Sequence, residues 1–171
     1  MANRDLKPDN MLFTTKEGGT DNRLYDRAQI TDFTTAIKLP EEDTDTFTVS
    51  DSAGTKLFEA PEVSLTGAFR PKPLDVWALG VSIYVMVFGS VPFGSQGSTE
   101  FELTKEIQEK PPALDFEDRP VSDELKQLLT AMLTKDPDAR PSIAQCREFT
   151  WLKGLDGLSC NKKPEQEENE E

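Results

Sequence analysis

The chain contains no histidine in its 171 residues. That excludes imidazole general bases and Ser-His triads, and leaves carboxylates, lysine and a bound metal for any catalysis. Cysteine is nearly as scarce. Cys146 and Cys160 are the only two, and their spacing fits no zinc or redox motif. A buried thiol and a loose tail thiol in a reducing, cytoplasmic compartment are therefore expected. Positive charge is short as well: 19 Lys and Arg stand against 32 Asp and Glu, a net charge of -13. A nucleic-acid partner needs a basic stripe, so none is expected. Nor is a secretory leader expected, because Arg4, Asp5, Lys7 and Asp9 interrupt the region where its apolar stretch would lie.

Long hydrophobic runs are confined to "VWALGVSIYVMVFGSVPF", Val76 to Phe93, which includes Gly80, Ser82, Gly89, Ser90 and Pro92. Its continuous helical part is nearer four turns than the ~20 apolar residues a bilayer requires. A short helix apolar all round is expected at the buried centre of a domain, and no membrane partner is expected. With 36% hydrophobic and 30% charged residues, the composition is that of one globular domain with a well-solvated surface.

Along the chain, Met11 to Thr14 and Arg27 to Thr31 read as short strands, separated by "KEGGTDNRLYD" with its Gly-Gly and Asp-Asn turn signals. Asp32 to Glu62 has no sustained periodicity, and its middle is acidic and rich in Thr and Ser. Loops of that length inside a domain are usually functional or disordered. A helix is expected near Thr99 to Glu109, stopped by Pro111-Pro112. A second is expected over Asp123 to Thr134, capped by Ser122, with Leu125, Leu128, Leu129, Met132 and Leu133 on one face. Pro141 is expected to open a last helix carrying Cys146, Phe149, Trp151 and Leu152. Residues 153–171 read as an acidic, disordered tail.

The motifs with chemical content are "RDLKPDN", "ITDFTTA", "APE" and "DVWALG", in that order. Together they resemble the C-terminal lobe of a eukaryotic protein kinase of the Ser/Thr type. "SAGTKLFEAPEV" and the buried-helix segment are most similar to calcium/calmodulin-dependent kinase kinases and their fungal relatives. The resemblance implies a mainly α architecture within an α+β family fold, with short β-hairpins at the catalytic cleft. It spans residues 1–152, with an activation segment over 32–62.

Phosphoryl transfer needs alignment and charge neutralisation more than covalent help. On that chemistry Asp5 accepts the substrate hydroxyl proton, and Lys7, two residues on, faces the same way toward the phosphate. Asn10 and Asp32 supply hard oxygen ligands suited to Mg²⁺ bridging ATP phosphates. The resemblance further implies that Thr55 hydrogen-bonds to Asp5 and Lys7, that Leu12 floors the adenine site, and that Asp75 anchors the catalytic loop. It also implies that Glu62 and Arg140 form a buried ion pair, and that Phe33 stacks on the residue before Arg4. The other reading of the cluster is a polar turn held by its own side chains; Leu12 also fits ordinary core.

The chain departs from the family pattern at Asn3, where His is usual; at Thr34, where Gly is usual; and at Lys56, commonly Pro. These are expected to weaken the Phe33 stack, to disturb switching or Mg²⁺ placement, and to alter substrate docking. The Gly-rich loop, strand lysine and hinge of the N-terminal lobe are absent, so that lobe is expected upstream and this polypeptide alone is expected to be nearly inactive. Arg4 can pair with a phosphate, and the usual phosphosite falls on Asp51, flanked by Ser50 and Ser52. Asp51 as a phosphate mimic, modification of Ser50 or Ser52, and a merely solvated acidic loop all remain open. The function implied is an ATP- and Mg²⁺-dependent Ser/Thr kinase acting on protein substrates, other kinases being one class. The alternatives are a catalytically inactive scaffold and a fragment without its own function.

Overall fold

The computed structural model describes residues 1–15, 25–41, 46–51, 53–65, 67–95, 97–114 and 120–153. Of the expected disordered tail only Lys153 is described, and it closes the last helix; residues 154–171, with Cys160, and the turn signals between the two strands lie outside the described residues. Two strands, β1 (Met11–Thr15) and β2 (Tyr25–Ile30), pair antiparallel with Met11 opposite Ile30. The second strand starts two residues before the expected Arg27. Thr31 follows it and still donates its N–H to the Asn10 carbonyl.

The helices are α1 (Pro61–Leu65), α2 (Pro71–Phe88), α3 (Glu100–Glu109), α4 (Asp123–Met132), α5 (Ile143–Cys146) and α6 (Thr150–Lys153). This is the mainly helical architecture expected, with one small hairpin at its edge. Helix α2 is longer at its start than the apolar run indicated. Pro71 lies in its first turn, where a missing N–H costs no helical hydrogen bond, so Pro71 to Asp75 joins the helix. It ends because Gly89 takes a left-handed φ of 72° and donates its N–H to the Val85 carbonyl. Among the described residues, no helix is long and apolar enough to cross a membrane.

Three apolar clusters explain why α2 is apolar on nearly every side. Trp77 and Val81 pack with Phe93, Leu103, Ile107 and Leu133. Val76 packs with Leu128, Met132 and Cys146, while Tyr84 and Phe88 pack with Leu125 and Leu129. Gly80 lets α4 approach closely: a Cβ there would stand 3.0 Å from Met132 Cβ.

Local signals set the helix starts. Thr99 and Glu102 form a reciprocal capping box at α3, and Ser122 accepts from the Leu125 N–H at α4. The expected last helix is instead two short ones. Ser142 and Gln145 cap α5 one residue after Pro141, and the Phe149 N–H then bonds to the Cys146 carbonyl in a tighter turn before α6. Cys146, Phe149, Trp151 and Leu152 do not keep one helical period, so a turn is needed to bring them all onto α2 and α4.

Candidate active site

The loop Asn3 to Asn10 is positioned from below by α2. Asp75, in that helix, accepts hydrogen bonds from the backbone N–H groups of Asn3 (2.7 Å) and Arg4 (2.8 Å). These bonds hold Arg4 at φ 69°, a left-handed conformation costly for a residue with a side chain. Burial pushes the Asp75 carboxyl above its ordinary value, partly countered by those two N–H donors. From the side, Ala2 and Ile37 exchange backbone hydrogen bonds, pinning the loop to the stretch after Asp32.

Asn3 is buried and cross-links three segments. Its Oδ1 accepts from the Asp5 N–H (3.1 Å), its Nδ2 donates to the Asp32 carbonyl (3.3 Å), and its own carbonyl accepts from the Thr35 hydroxyl (2.8 Å). The amide thus ties the loop Asn3 to Asn10 to Asp32 by hydrogen bonds, without the ring stacking expected of a histidine. Phe33 is half exposed.

Four polar side chains converge beyond Asn3. Lys7 Nζ donates to Asp5 Oδ2 (2.9 Å) and to Thr55 Oγ1 (2.8 Å), and Thr55 Oγ1 donates to Asp5 Oδ1 (2.9 Å). Asn10 Nδ2 donates to the Asp5 carbonyl (2.9 Å) and to Asp5 Oδ2 (3.1 Å). Burial alone pushes the Asp5 carboxyl up, but the bonds from Lys7, Thr55 and Asn10 outweigh it and hold the carboxyl below its ordinary 3.8. Asp5 is therefore an anion at neutral pH, with both oxygens oriented.

Gly54 brings Thr55 there. Its φ is 127°, and a Cβ on it would sit 2.5 Å from the Arg4 carbonyl oxygen. The backbone of residues 53–55 can lie against the catalytic loop only because no side chain intervenes. Gly54 is absent from the residues expected above, and its place directly before Thr55 is the signal that marks it.

Asp32 is exposed and left-handed, at φ 56°. Its Oδ1 accepts from both the Thr34 hydroxyl (2.6 Å) and the Thr34 N–H (3.1 Å). Those bonds hold its carboxyl below the ordinary range. Asp32 Oδ2 and Asn10 Oδ1 accept no hydrogen bond among the described residues. They are two hard, available oxygens on segments joined through Asn3, a donor set that fits Mg²⁺. Leu12, on β1, is 54% exposed, which excludes ordinary core.

Arg4 reaches outward. Its Nε donates to the Thr35 carbonyl (2.7 Å) and its Nη1 to both Asp51 oxygens (2.9 and 3.0 Å). The guanidinium hydrogen bond, with its charge, holds the Asp51 carboxyl below the ordinary range. Ser50 is exposed next to it, whereas Ser52, Glu42, Asp43 and Asp45 lie outside the described residues. Lys56 bonds Glu59 (3.0 Å) and approaches Glu100 on α3 (3.5 Å), tying the turn after Thr55 to that helix.

Glu62 and Arg140 form a bidentate pair at 2.7 and 2.9 Å, with side chains only 7% and 0% exposed. The remaining guanidinium donors bond the carbonyls of Pro73, Thr134 and Lys135. The pair fastens α1 to the start of α2 and to the turn after α4. Most of the expected site residues are thus brought together around Asp5. Glu62 and Arg140 stand apart as a brace, and Leu12 and Phe33 are exposed to one side.

The family model for the protein kinase domain matches residues 1–152. Serine/threonine-protein kinase GRIK1 of Arabidopsis thaliana is 30% identical over 97% of this chain and 39% of its own length. The SNF-related serine/threonine-protein kinase of Homo sapiens is 30% identical over 95% of this chain and 19% of its own. Serine/threonine-protein kinase ssp1 of Schizosaccharomyces pombe is 32% identical over 97% and 24%. This chain therefore spans at most 39% of the length of these relatives. With a family match over nearly all its described residues, the chain belongs to the protein kinase domain family.

Proposed function

We propose that this chain supplies the phosphoryl-transfer half of a protein serine/threonine kinase that uses ATP and Mg²⁺. The observation that carries the reading is the closed network of Asp5, Lys7, Thr55 and Asn10. A polar turn stabilising itself does not need a partner 50 residues away, yet Thr55 donates directly to Asp5.

In this reading the Asp5 carboxylate orients the acceptor hydroxyl and takes its proton as transfer proceeds. Lys7, already held against Asp5, lies where it offsets charge on the phosphate. Thr55 keeps Asp5 and Lys7 in register and borders the place where the acceptor chain passes. Asn10 Oδ1 and Asp32 Oδ2 are the oxygens that would hold Mg²⁺, which would supply positive charge to offset that of the ATP phosphates. Leu12 offers an exposed apolar surface for the adenine, and Phe33 supports Asp32 from the next position.

Two contacts hold the described part of the activation segment near Asp51 without added phosphate. Asp51 occupies the Arg4 guanidinium, and Val49 and Phe69 exchange backbone hydrogen bonds just before it. We therefore read Asp51 as a built-in replacement for an activating phosphate, with Ser50 and Ser52 as neighbouring modification candidates. The remaining parts of a kinase, a Gly-rich loop and a strand lysine, are expected from a longer polypeptide. The substrates are proteins, the setting intracellular, and the acidic balance favours basic acceptor segments. A non-catalytic docking role is the second reading, favoured by Asn3 and Thr34 at positions where the family has other residues.

The test is acceptor selectivity in the complete gene product. Peptides differing only in Ser, Thr or Tyr at the acceptor should be labelled at Ser and Thr alone. Thr55→Ala should cut that labelling by about 100-fold through loss of alignment. Absence of labelling on any acceptor supports the docking role.

A further inference from the structure

The usual glycine after Asp32-Phe33 is Thr34 here, and its hydroxyl lies 2.6 Å from Asp32 Oδ1. The Thr34 N–H adds a second bond to the same oxygen at 3.1 Å. A carboxylate oxygen has two lone-pair directions, so Oδ1 is filled. Oδ2 is left without a hydrogen bond among the described residues. Asp32 is exposed and would otherwise rotate, but the two bonds and the left-handed φ of 56° hold its carboxylate in one orientation. The Asn3 amide fixes the Asp32 carbonyl as well.

We propose that Thr34 is a positioning residue which restricts Asp32 to one-oxygen liganding and so biases the site toward Mg²⁺ over Ca²⁺. The inference rests on Asp32 being a metal ligand, as in the proposed function. Mg²⁺ is small, demands near-ideal octahedral geometry and takes single carboxylate oxygens at short distance. Ca²⁺ tolerates bidentate carboxylates and irregular, larger shells. A hydroxyl that occupies Oδ1 removes the bidentate option and leaves the monodentate one. With glycine at position 34 only the N–H bond would remain, and both oxygens would be more readily offered. Groups that hold a ligand from behind commonly change metal affinity by about 10- to 100-fold when removed.

Mn²⁺ binding to the 171-residue chain, read by loss of its free-ion EPR signal, tests this without any kinase assay. The relevant sites are those lost in Asp32→Asn. Displacement of that Mn²⁺ by Mg²⁺ and by Ca²⁺ gives their relative affinities. Thr34→Val, which keeps the shape and the N–H, should move the ratio about tenfold toward Ca²⁺, near the low end of that range. Thr34→Ser should restore the wild-type ratio. An unchanged ratio in Thr34→Val, with Mn²⁺ still lost in Asp32→Asn, overturns the role of Thr34 and leaves the metal reading intact. Equal Mn²⁺ binding by wild type and Asp32→Asn overturns Asp32 as a ligand, and this proposal with it.

Discussion

Asn3 shows how one residue can depart from a pattern and keep its place in the network. As a smaller, polar residue it was expected to weaken a ring stack. Instead its amide bonds Asp5 and Asp32 together, using donor and acceptor groups that cannot be placed without the fold. Gly54 is the converse case, a small residue whose role depends wholly on the approach of another chain segment. In Gly54→Ala the 2.5 Å clash with the Arg4 carbonyl and the φ of 127° should together cost about 2 kcal/mol, measured by denaturant unfolding. Lost contact between Thr55 and Asp5 should accompany it.

Ionisable side chains give a second set of tests at this scale. Lys135 is half-buried, its Nζ lies 3.8 Å from the centre of the Phe93 ring, and the atom has no hydrogen-bond partner among the described residues. Burial pulls its ammonium down to about 8, with the nearby Arg140 charge adding to the effect. A folded value below the ordinary 10.5 means the folded state binds fewer protons between the two. The cost is therefore full below about pH 8 and relieved as pH rises toward 10.5. After allowance for solvent screening and the aromatic faces, Lys135→Met should stabilise by about 1 kcal/mol at pH 7. In thermal melts that gain should shrink at pH 10. Asp51 behaves oppositely: its lowered carboxyl stabilises above the ordinary 3.8, and that contribution is lost as pH falls through its lower folded value. Asp51→Ala should speed amide exchange around Val49 and Thr55 at pH 7 while leaving α4 unchanged.

At the scale of elements, α2 organises the molecule. It forms part of all three apolar clusters, and through Asp75 it holds the loop Asn3 to Asn10. Its buried character was legible because an all-round apolar helix with glycine and serine in it has few other places to sit. The starts of α3 and α4 were legible too, since Thr99 and Ser122 act over three residues. The break between α5 and α6 was not. It answers to where Trp151 must land on other helices, and local residues do not encode that distance. The brace between α1 and α2 makes the strongest energetic claim here. Arg140→Met should leave the Glu62 carboxylate buried without its bidentate partner and cost about 3–5 kcal/mol in denaturant unfolding. A loss under 1 kcal/mol would show that water reaches the site.

For the molecule as a whole, several large apolar side chains on and beside the two strands are uncovered. Leu12, Phe13, Ile30 and Phe33 are each 45–54% exposed, and Met86 on α2 is 46% exposed. Leu12 faces one side of the two-stranded sheet and Phe13 and Ile30 the other, so apolar surface is open on both, and exposed apolar surface favours association. The isolated 171-residue chain is expected to bind a hydrophobic dye and to self-associate with rising concentration, seen by light scattering. A dye-silent monomer that unfolds cooperatively would contradict that. The cluster around Asp5 was legible at this scale because its residues fall in ordered, closely spaced strings. The Arg4–Asp51 bond was one of three readings left open, and the Thr34–Asp32 bonds were not legible, because they depend on a backbone turn.

Phosphoryl transfer is the role proposed for Asp5. Its most direct measurement is single-turnover transfer of the ATP γ-phosphate to a serine peptide by the complete gene product and its Asp5→Asn variant. Nucleotide affinity should stay within about threefold while the transfer rate falls by roughly 100- to 10,000-fold, since only the acceptor's alignment and proton acceptance are lost. Equal transfer rates in the two proteins, or no transfer by the wild type, would contradict it.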